Sequence, residues 1–156
     1  MILPDLPGDG HSLPVVLAAT VVLTLLLLAI AWADLRTMRI PDNLNALLAV
    51  SGLALAALGE RPWDHVIGAV AGYALFWAIG EAYFRRTGRE GLGLGDAKLF
   101  GAAGAWLGWQ ALPFVLLIAA LAGLAAALLQ RRSELAFGPW LALGLWAMWV
   151  AQVLAG

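Results

Sequence analysis

Two aspartates stand apart in a chain of 156 residues of which only 12% are charged. Asp34 directly follows the apolar run Leu13 to Ala33, and Asp96 ends Gly-Leu-Gly-Leu-Gly-Asp just before the apolar run Lys98 to Trp109. A carboxylate at the edge of hydrocarbon is costly to ionise, so it turns to the protein interior, finds a partner or marks a functional site. If the helices carrying these two pack together at one membrane face, the carboxyls share a proton and titrate as a unit, because like charges a few ångströms apart do not both ionise comfortably. Such a pair hydrolyses a peptide bond without metal or covalent intermediate: the ionised partner takes a proton from water while the protonated one polarises the scissile carbonyl.

The flanking residues have two readings. Gly91, Gly93 and Gly95 allow backbone conformations closed to other residues and leave room for a substrate beside Asp96. In the plainer reading they end a loop and let helices approach. Pro41 opens the second helix at a position where its missing N–H does no harm, and Asp42 is expected to accept hydrogen bonds there. Lys98, two residues past Asp96, is turned by about 200° on a regular helix and is expected to snorkel to the interface.

Other chemistries lack their parts. A P-loop needs Gly-x-x-x-x-Gly-Lys followed by Ser or Thr, and here Lys98 precedes Leu99. The dinucleotide fingerprint fails on spacing and has no strand before it. Ser12, Ser51 and Ser133 are scattered, and the two histidines, His11 and His65, fall on the side opposite the aspartates. Cysteine is absent, so thiolate metal sites and cysteine nucleophiles are excluded. No metal and no cofactor is expected.

The elements that must position the aspartates are membrane helices. The chain is 63% hydrophobic, with a mean hydropathy of +0.88. Its net charge of −1 gives no reason to expect a nucleic acid partner. Six apolar spans are expected: Leu13 to Ala33, Leu44 to Leu58, Val66 to Phe84, Lys98 to Trp109, Leu112 to Leu129 and Pro139 to Ala155. Amides in hydrocarbon must pair within their own segment, and no period-2 alternation of barrel strands is present. The fold class is therefore all-α, a polytopic bundle of about six transmembrane helices. Gly68, Gly72, Gly101, Gly104, Gly108 and Gly123 suit close helix approach. The second and fourth spans are short and must borrow flanking residues or be covered by protein.

Of the nine Lys and Arg residues, all but Arg61 fall in or beside the first, third and fifth loops. The positive-inside rule then puts those loops in the cytoplasm and both termini outside, with residues 1–12 a short external segment and 13–156 a single domain. Ala31-Trp32-Ala33 looks like a signal-peptide cleavage site, but the preceding segment carries Asp5, Asp9 and His11 and no cation.

Taken together, DLRTMRIPDNLN, GREGLGLGDAKLFGAAGAWLGW and FGPWLALG resemble the type IV prepilin peptidase family, membrane aspartic proteases of the GxGD type, in content and in order. The resemblance implies that Asp34 and Asp96 are the catalytic pair and that the substrates are prepilins or secretion pseudopilins. These would carry a leader followed by an apolar helix and be cut at the cytoplasmic face of the bacterial inner membrane. Larger relatives have an N-terminal region with paired Cys-x-x-Cys motifs and also methylate the new N-terminus; without those cysteines, peptidase activity alone is expected. Ala136 stands where many relatives have proline before Phe-Gly-Pro. Two other classes keep paired carboxyls in a bundle: a small proton-coupled transporter or channel, and an inactive homologue that binds pilins.

The remaining polar residues have ordinary explanations. Arg36 and Arg39 are expected along one helical face against lipid phosphates, and Arg85, Arg86 and Arg89 to set topology. Glu81 is expected to pair with Arg85 one turn on, while Glu90 is either paired with Arg36 or Arg39 or solvated. Trp63, Trp106, Trp109, Trp140 and Trp149 are expected as interfacial anchors.

Overall fold

The computed structural model describes residues 13–59, 61–89, 91–130 and 136–155. The expected segment 1–12, Glu90 and the orienting pair Arg131 and Arg132 lie outside the described residues. Six helices follow one another: α1 (Leu13–Thr37), α2 (Asp42–Ala56), α3 (Pro62–Thr87), α4 (Leu94–Leu107), α5 (Leu112–Gln130) and α6 (Gly138–Ala155). A 3-10 turn, Trp109–Ala111, joins α4 to α5, and no strand occurs among the described residues. Four segments are long and apolar enough to cross a membrane: Leu13–Thr37, Pro62–Thr87, Trp109–Leu129 and Gly138–Ala155. The chain is a multi-pass membrane protein.

The short helices are accommodated by position. α4 lies at the centre of the bundle, packed against α2, α3, α5 and α6, and every residue from Leu99 to Leu107 is buried. Protein rather than lipid covers it, which removes the length requirement of a lipid-facing span. α1 is not among its principal neighbours; it packs mainly on α6 and α2.

Glycine makes the α3–α4 seam possible. A Cβ on Gly104 would overlap the backbone of Gly68, and one on Gly72 would come within 2.8 Å of the Phe100 carbonyl oxygen. Below this seam Phe76 and Phe100 stack with centroids 4.2 Å apart. Such close backbone approach drives association where lipid supplies no hydrophobic gradient.

Two tryptophans expected at the interface are core residues instead. Trp106 and Trp149 are 2% and 0% exposed and meet edge to face at 5.3 Å. Trp106 donates its indole N–H to the Leu48 carbonyl at 2.7 Å, and Trp149 donates to Thr20 Oγ1 at 2.9 Å, so each ring has an acceptor inside the bundle. Gly52 leaves the room, since a Cβ there would lie 2.5 Å from the Trp106 ring. At the far end of α4, Gly108 turns the chain at φ 79°, and Asp64 accepts from the side chains of Trp109 and Gln110.

Candidate active site

α1 continues one turn beyond its apolar run, to Thr37, so Asp34 belongs to the helix rather than following it. The side chain is buried, at 6% exposure. Met38 then takes φ 53°, a left-handed conformation uncommon for a residue with a Cβ, and reverses the chain. Arg39 thereby falls outside the helix and does not share a helical face with Arg36, whose guanidinium lies 4.1 Å over the Trp32 ring.

Pro41 is extended at φ −62°, ψ 132° and sits just before α2 rather than inside it, its carbonyl accepting the amides of Leu44 and Asn45. The N-cap position is Pro41, which offers no side-chain cap, and the hydrogen bond that the Asp42 side chain makes among the described residues is not to the opening amides of α2. The Asp42 carboxylate instead accepts from Lys98 Nζ at 2.6 Å, so Lys98 ties the first turn of α4 to the start of α2.

The glycines before Asp96 act through space, not through unusual dihedrals. Left-handed glycines among the described residues are Gly88 and Gly108, while Gly93 has an ordinary extended φ of −69°. A Cβ on Gly91 would overlap the Tyr83 ring, and one on Gly95 would press on Ile40 Cβ at 3.2 Å. At Gly93 the nearest atom to such a Cβ is Asp96 Oδ2 itself, at 3.6 Å. The Gly93 carbonyl accepts the amides of Asp96 and Ala97, opening α4 with Asp96 in its first turn.

Beside this turn lies a hollow of about 430 Å³ between α3 and the Leu92–Leu94 stretch, walled by Phe76, Trp77, Phe84 and Leu92 and by the one charged side chain Glu81, with Gly80 and Gly93 between them. Ile40 links the surroundings of the two aspartates: a Cβ on Gly138 would meet both Asp34 Oδ2 and Ile40 Cδ1, and one on Gly95, next to Asp96, would press on Ile40 Cβ. Two buried or half-buried carboxyls gathered at one end of a helical bundle are the kind of grouping on which acid–base chemistry can be built.

Two contacts around the aspartates had no counterpart in the sequence reading. Asp34 Oδ2 accepts the backbone N–H of Gly138 at 3.0 Å, across 104 positions. Gly138 is the first residue of α6, where amides lack intrahelical partners and the helix dipole favours an anion. Only glycine fits, because a Cβ there would stand 2.5 Å from that same oxygen. Asn45, buried at 3% exposure, donates to the Gly95 carbonyl at 3.1 Å. Its one signal in the sequence was an amide set inside the apolar second run.

With this geometry in view, the likeness to known proteins is decisive: residues 21–128 match the type IV leader peptidase family. The chain belongs to that family. Among curated relatives of this leader peptidase family member, a protein of Pectobacterium carotovorum subsp. carotovorum is 46% identical over 127 residues, covering 76% of this chain and 46% of the relative. One from Dickeya chrysanthemi is 47% identical over 137 residues, covering 82% and 48%. One from Escherichia coli (strain K12) is 45% identical over 139 residues, covering 84% and 62%. Each is named prepilin leader peptidase/N-methyltransferase. The chain thus spans about half the length of most of these relatives. No solved structure matches it significantly.

Proposed function

We propose that this chain is an aspartic endopeptidase that removes the leader from type IV prepilins or related pseudopilins, with Asp34 and Asp96 as its catalytic pair. The observation carrying this reading is that residues 62 positions apart in sequence, on α1 and α4, are gathered around one side chain, Ile40, which meets Gly138 beside the Asp34 carboxyl and Gly95 beside Asp96. One carboxylate takes a proton from the attacking water and later passes it to the leaving amine; the other, protonated, donates to the scissile carbonyl and recovers its proton when the tetrahedral intermediate collapses. The Gly138 amide holds one Asp34 oxygen, leaving the other for water or substrate. Gly93, bare beside Asp96, and Gly95, packed on Ile40, shape the space in which the substrate backbone lies. Pro41, Asp42 and Lys98 brace that space from the α2 side.

The substrate's apolar segment lies against the bundle, and its leader meets the hollow walled by Trp77 and Phe84. By the distribution of Lys and Arg, this end of the bundle faces the cytoplasm of a bacterial inner membrane, with both termini on the other side. Residues 13–156 act as one peptidase domain, and this chain hydrolyses without methylating.

The test uses purified protein in detergent, a synthetic prepilin-type peptide and a methyl donor. The parent is expected to release the leader and leave the new N-terminus unmethylated. Asp34→Ala and Asp96→Ala are expected to lower the rate to background while retaining the parental fluorescence spectrum. Parental cleavage by either variant refutes the pair, and a methylated product refutes the second half of the reading.

A further inference from the structure

α4 is gripped by a buried side-chain amide at each end. Near its start, Asn45 Nδ2 donates to the Gly95 carbonyl at 3.1 Å; near its finish, Gln152 Nε2 donates to the Leu107 carbonyl at 3.4 Å. Both side chains are buried, at 3% and 8% exposure, and in both the amide oxygen has no hydrogen-bond partner among the described residues. The need for a donor differs between the two ends. Leu107 is in the last turn of α4, where carbonyls lose their intrahelical partners. Gly95 is in the first turn, where carbonyls accept from amides four residues on. Gln152 therefore supplies a needed donor, whereas Asn45 adds a second donor to a carbonyl already served.

A buried amide oxygen without a donor is costly, so an apolar residue of the same shape would serve the fold of α2 at least as well. What Asn45 adds is direction. Its hydrogen bond fixes the plane of the peptide joining Gly95 to Asp96, from which the Asp96 side chain departs. Ile40, against the α-carbon of Gly95, holds the same turn laterally. The Lys98–Asp42 pair crosses the same α2–α4 seam but is largely exposed at Asp42 and constrains less.

We propose that Asn45 is a positioning residue for cleavage, acting through the Gly95 carbonyl to set the Asp96 carboxyl against Asp34. The proposal rests on the reading of Asp34 and Asp96 as the catalytic pair. It requires that loss of the donor lower kcat while leaving KM and folding in place, since the hollow beside Gly93 is walled by α3 and the Leu92–Leu94 stretch, not by Asn45.

The experiment compares Asn45→Leu, which keeps the approximate volume, Asn45→Asp, which keeps the shape but not the amide donor, and Gln152→Leu, which removes the matching bond at the far end. Peptide cleavage and thermal unfolding are measured on each. Misplacing a reacting group by about 1 Å costs on the order of 100-fold in rate, so both Asn45 variants are expected to lose between about 10- and 100-fold in kcat, with KM within about twofold. Asn45→Leu is expected to melt no lower than the parent, and Gln152→Leu to keep the parental kcat whatever its melting temperature. Parental kcat in a folded Asn45 variant overturns the proposal, as does a loss that merely follows the fraction unfolded or that Gln152→Leu reproduces. If Asn45→Leu does not fold, Asn45→Asp decides by the same criterion. Asp96→Asn in parallel separates the failures: if it cleaves normally the catalytic pair is wrong, and if it is inactive while the Asn45 variants are parental, only this inference falls.

Discussion

Gly138→Ala is the sharpest perturbation the site offers, because it touches Asp34 without changing any titratable group. The added Cβ would sit 2.5 Å from Asp34 Oδ2, 3.1 Å from Asp34 Cγ and 3.0 Å from Ile40 Cδ1. The isoleucine methyl is the end of a flexible side chain and can swing away. The carboxyl cannot do so freely, because Asp34 is buried and its Oδ2 is held by the amide of the very residue that gains the methyl. Ordinary contact begins near 3.4 Å, so the carboxyl or the first turn of α6 must give way by roughly 1 Å, and a shift of that size at a reacting group costs about 100-fold in rate. Straining a hydrogen bond to a charged group also withdraws part of a contribution of about 1.5–3 kcal/mol, which lowers stability. Leader release from a synthetic peptide should therefore show kcat falling by about two orders of magnitude with little change in KM, and the melting temperature should drop by a few degrees. Gly123→Ala is the control, since its Cβ would meet Trp140 at an ordinary 3.4 Å, and it should behave as the parent. A folded Gly138→Ala protein with parental kcat would refute the idea that the start of α6 sets the Asp34 carboxyl.

Other substitutions test the frame around the site. Gly104→Ala drives a methyl into the Gly68 backbone, which has no rotamer to change, so thermal unfolding should report a loss at or above the usual 1–3 kcal/mol of overpacking; an unchanged melting temperature would mean that α3 and α4 are not held at this distance. Trp106→Phe removes the donor to the Leu48 carbonyl and part of the edge-on contact with Trp149. It should cost about 1–3 kcal/mol with little effect on KM, as read by unfolding and cleavage together. Lys98→Met breaks an ion pair whose Asp42 side is 74% exposed, so stability should change by less than about 1 kcal/mol and still less at high salt. A large loss there would show that the pair is more shielded than its exposure implies.

The six apolar runs were legible because a membrane leaves few choices: a long apolar run with no alternation must be a helix. Glu81 and Arg85 were legible for a local reason, one turn of helix apart, and they pair at 2.6 Å. Helix ends were read less well. α3 starts at Pro62 and runs to Thr87, past both ends of the apolar stretch, because polar residues outside hydrocarbon continue a helix at no penalty. α4 starts at Leu94 instead of Lys98, since Gly93 supplies the first carbonyl. The tryptophans failed for a different reason. A ring near the end of a run faces lipid or core according to what stands opposite, and for Trp106 that is Gly52 on another helix. The link from Asp34 to Gly138 was out of reach in the same way: no pattern within either segment encodes a bond across 104 positions, although the Phe-Gly-Pro sequence marked one half of it.

The length of α4 connects these observations. Fourteen residues rise only about 21 Å, against a hydrocarbon core of about 30 Å. A helix that short, wrapped by four others, leaves space within the bundle at its ends rather than at the membrane surface. The far end is closed by Trp109 and Gln110 turned onto Asp64. The near end is left open by Gly93 and by the hollow beside Phe76 and Leu92. α1, by contrast, runs 25 residues and brings Asp34 to the Gly138 amide and, through Ile40, to the Gly95 end of α4. One short central helix and one long peripheral helix thus carry the two carboxyls to one end of the bundle, with Ile40 between Gly138 and Gly95. Lengthening α4 by a turn at its near end, with the rest of the bundle unchanged, would carry Asp96 past Asp34 by about 5.4 Å and separate the pair.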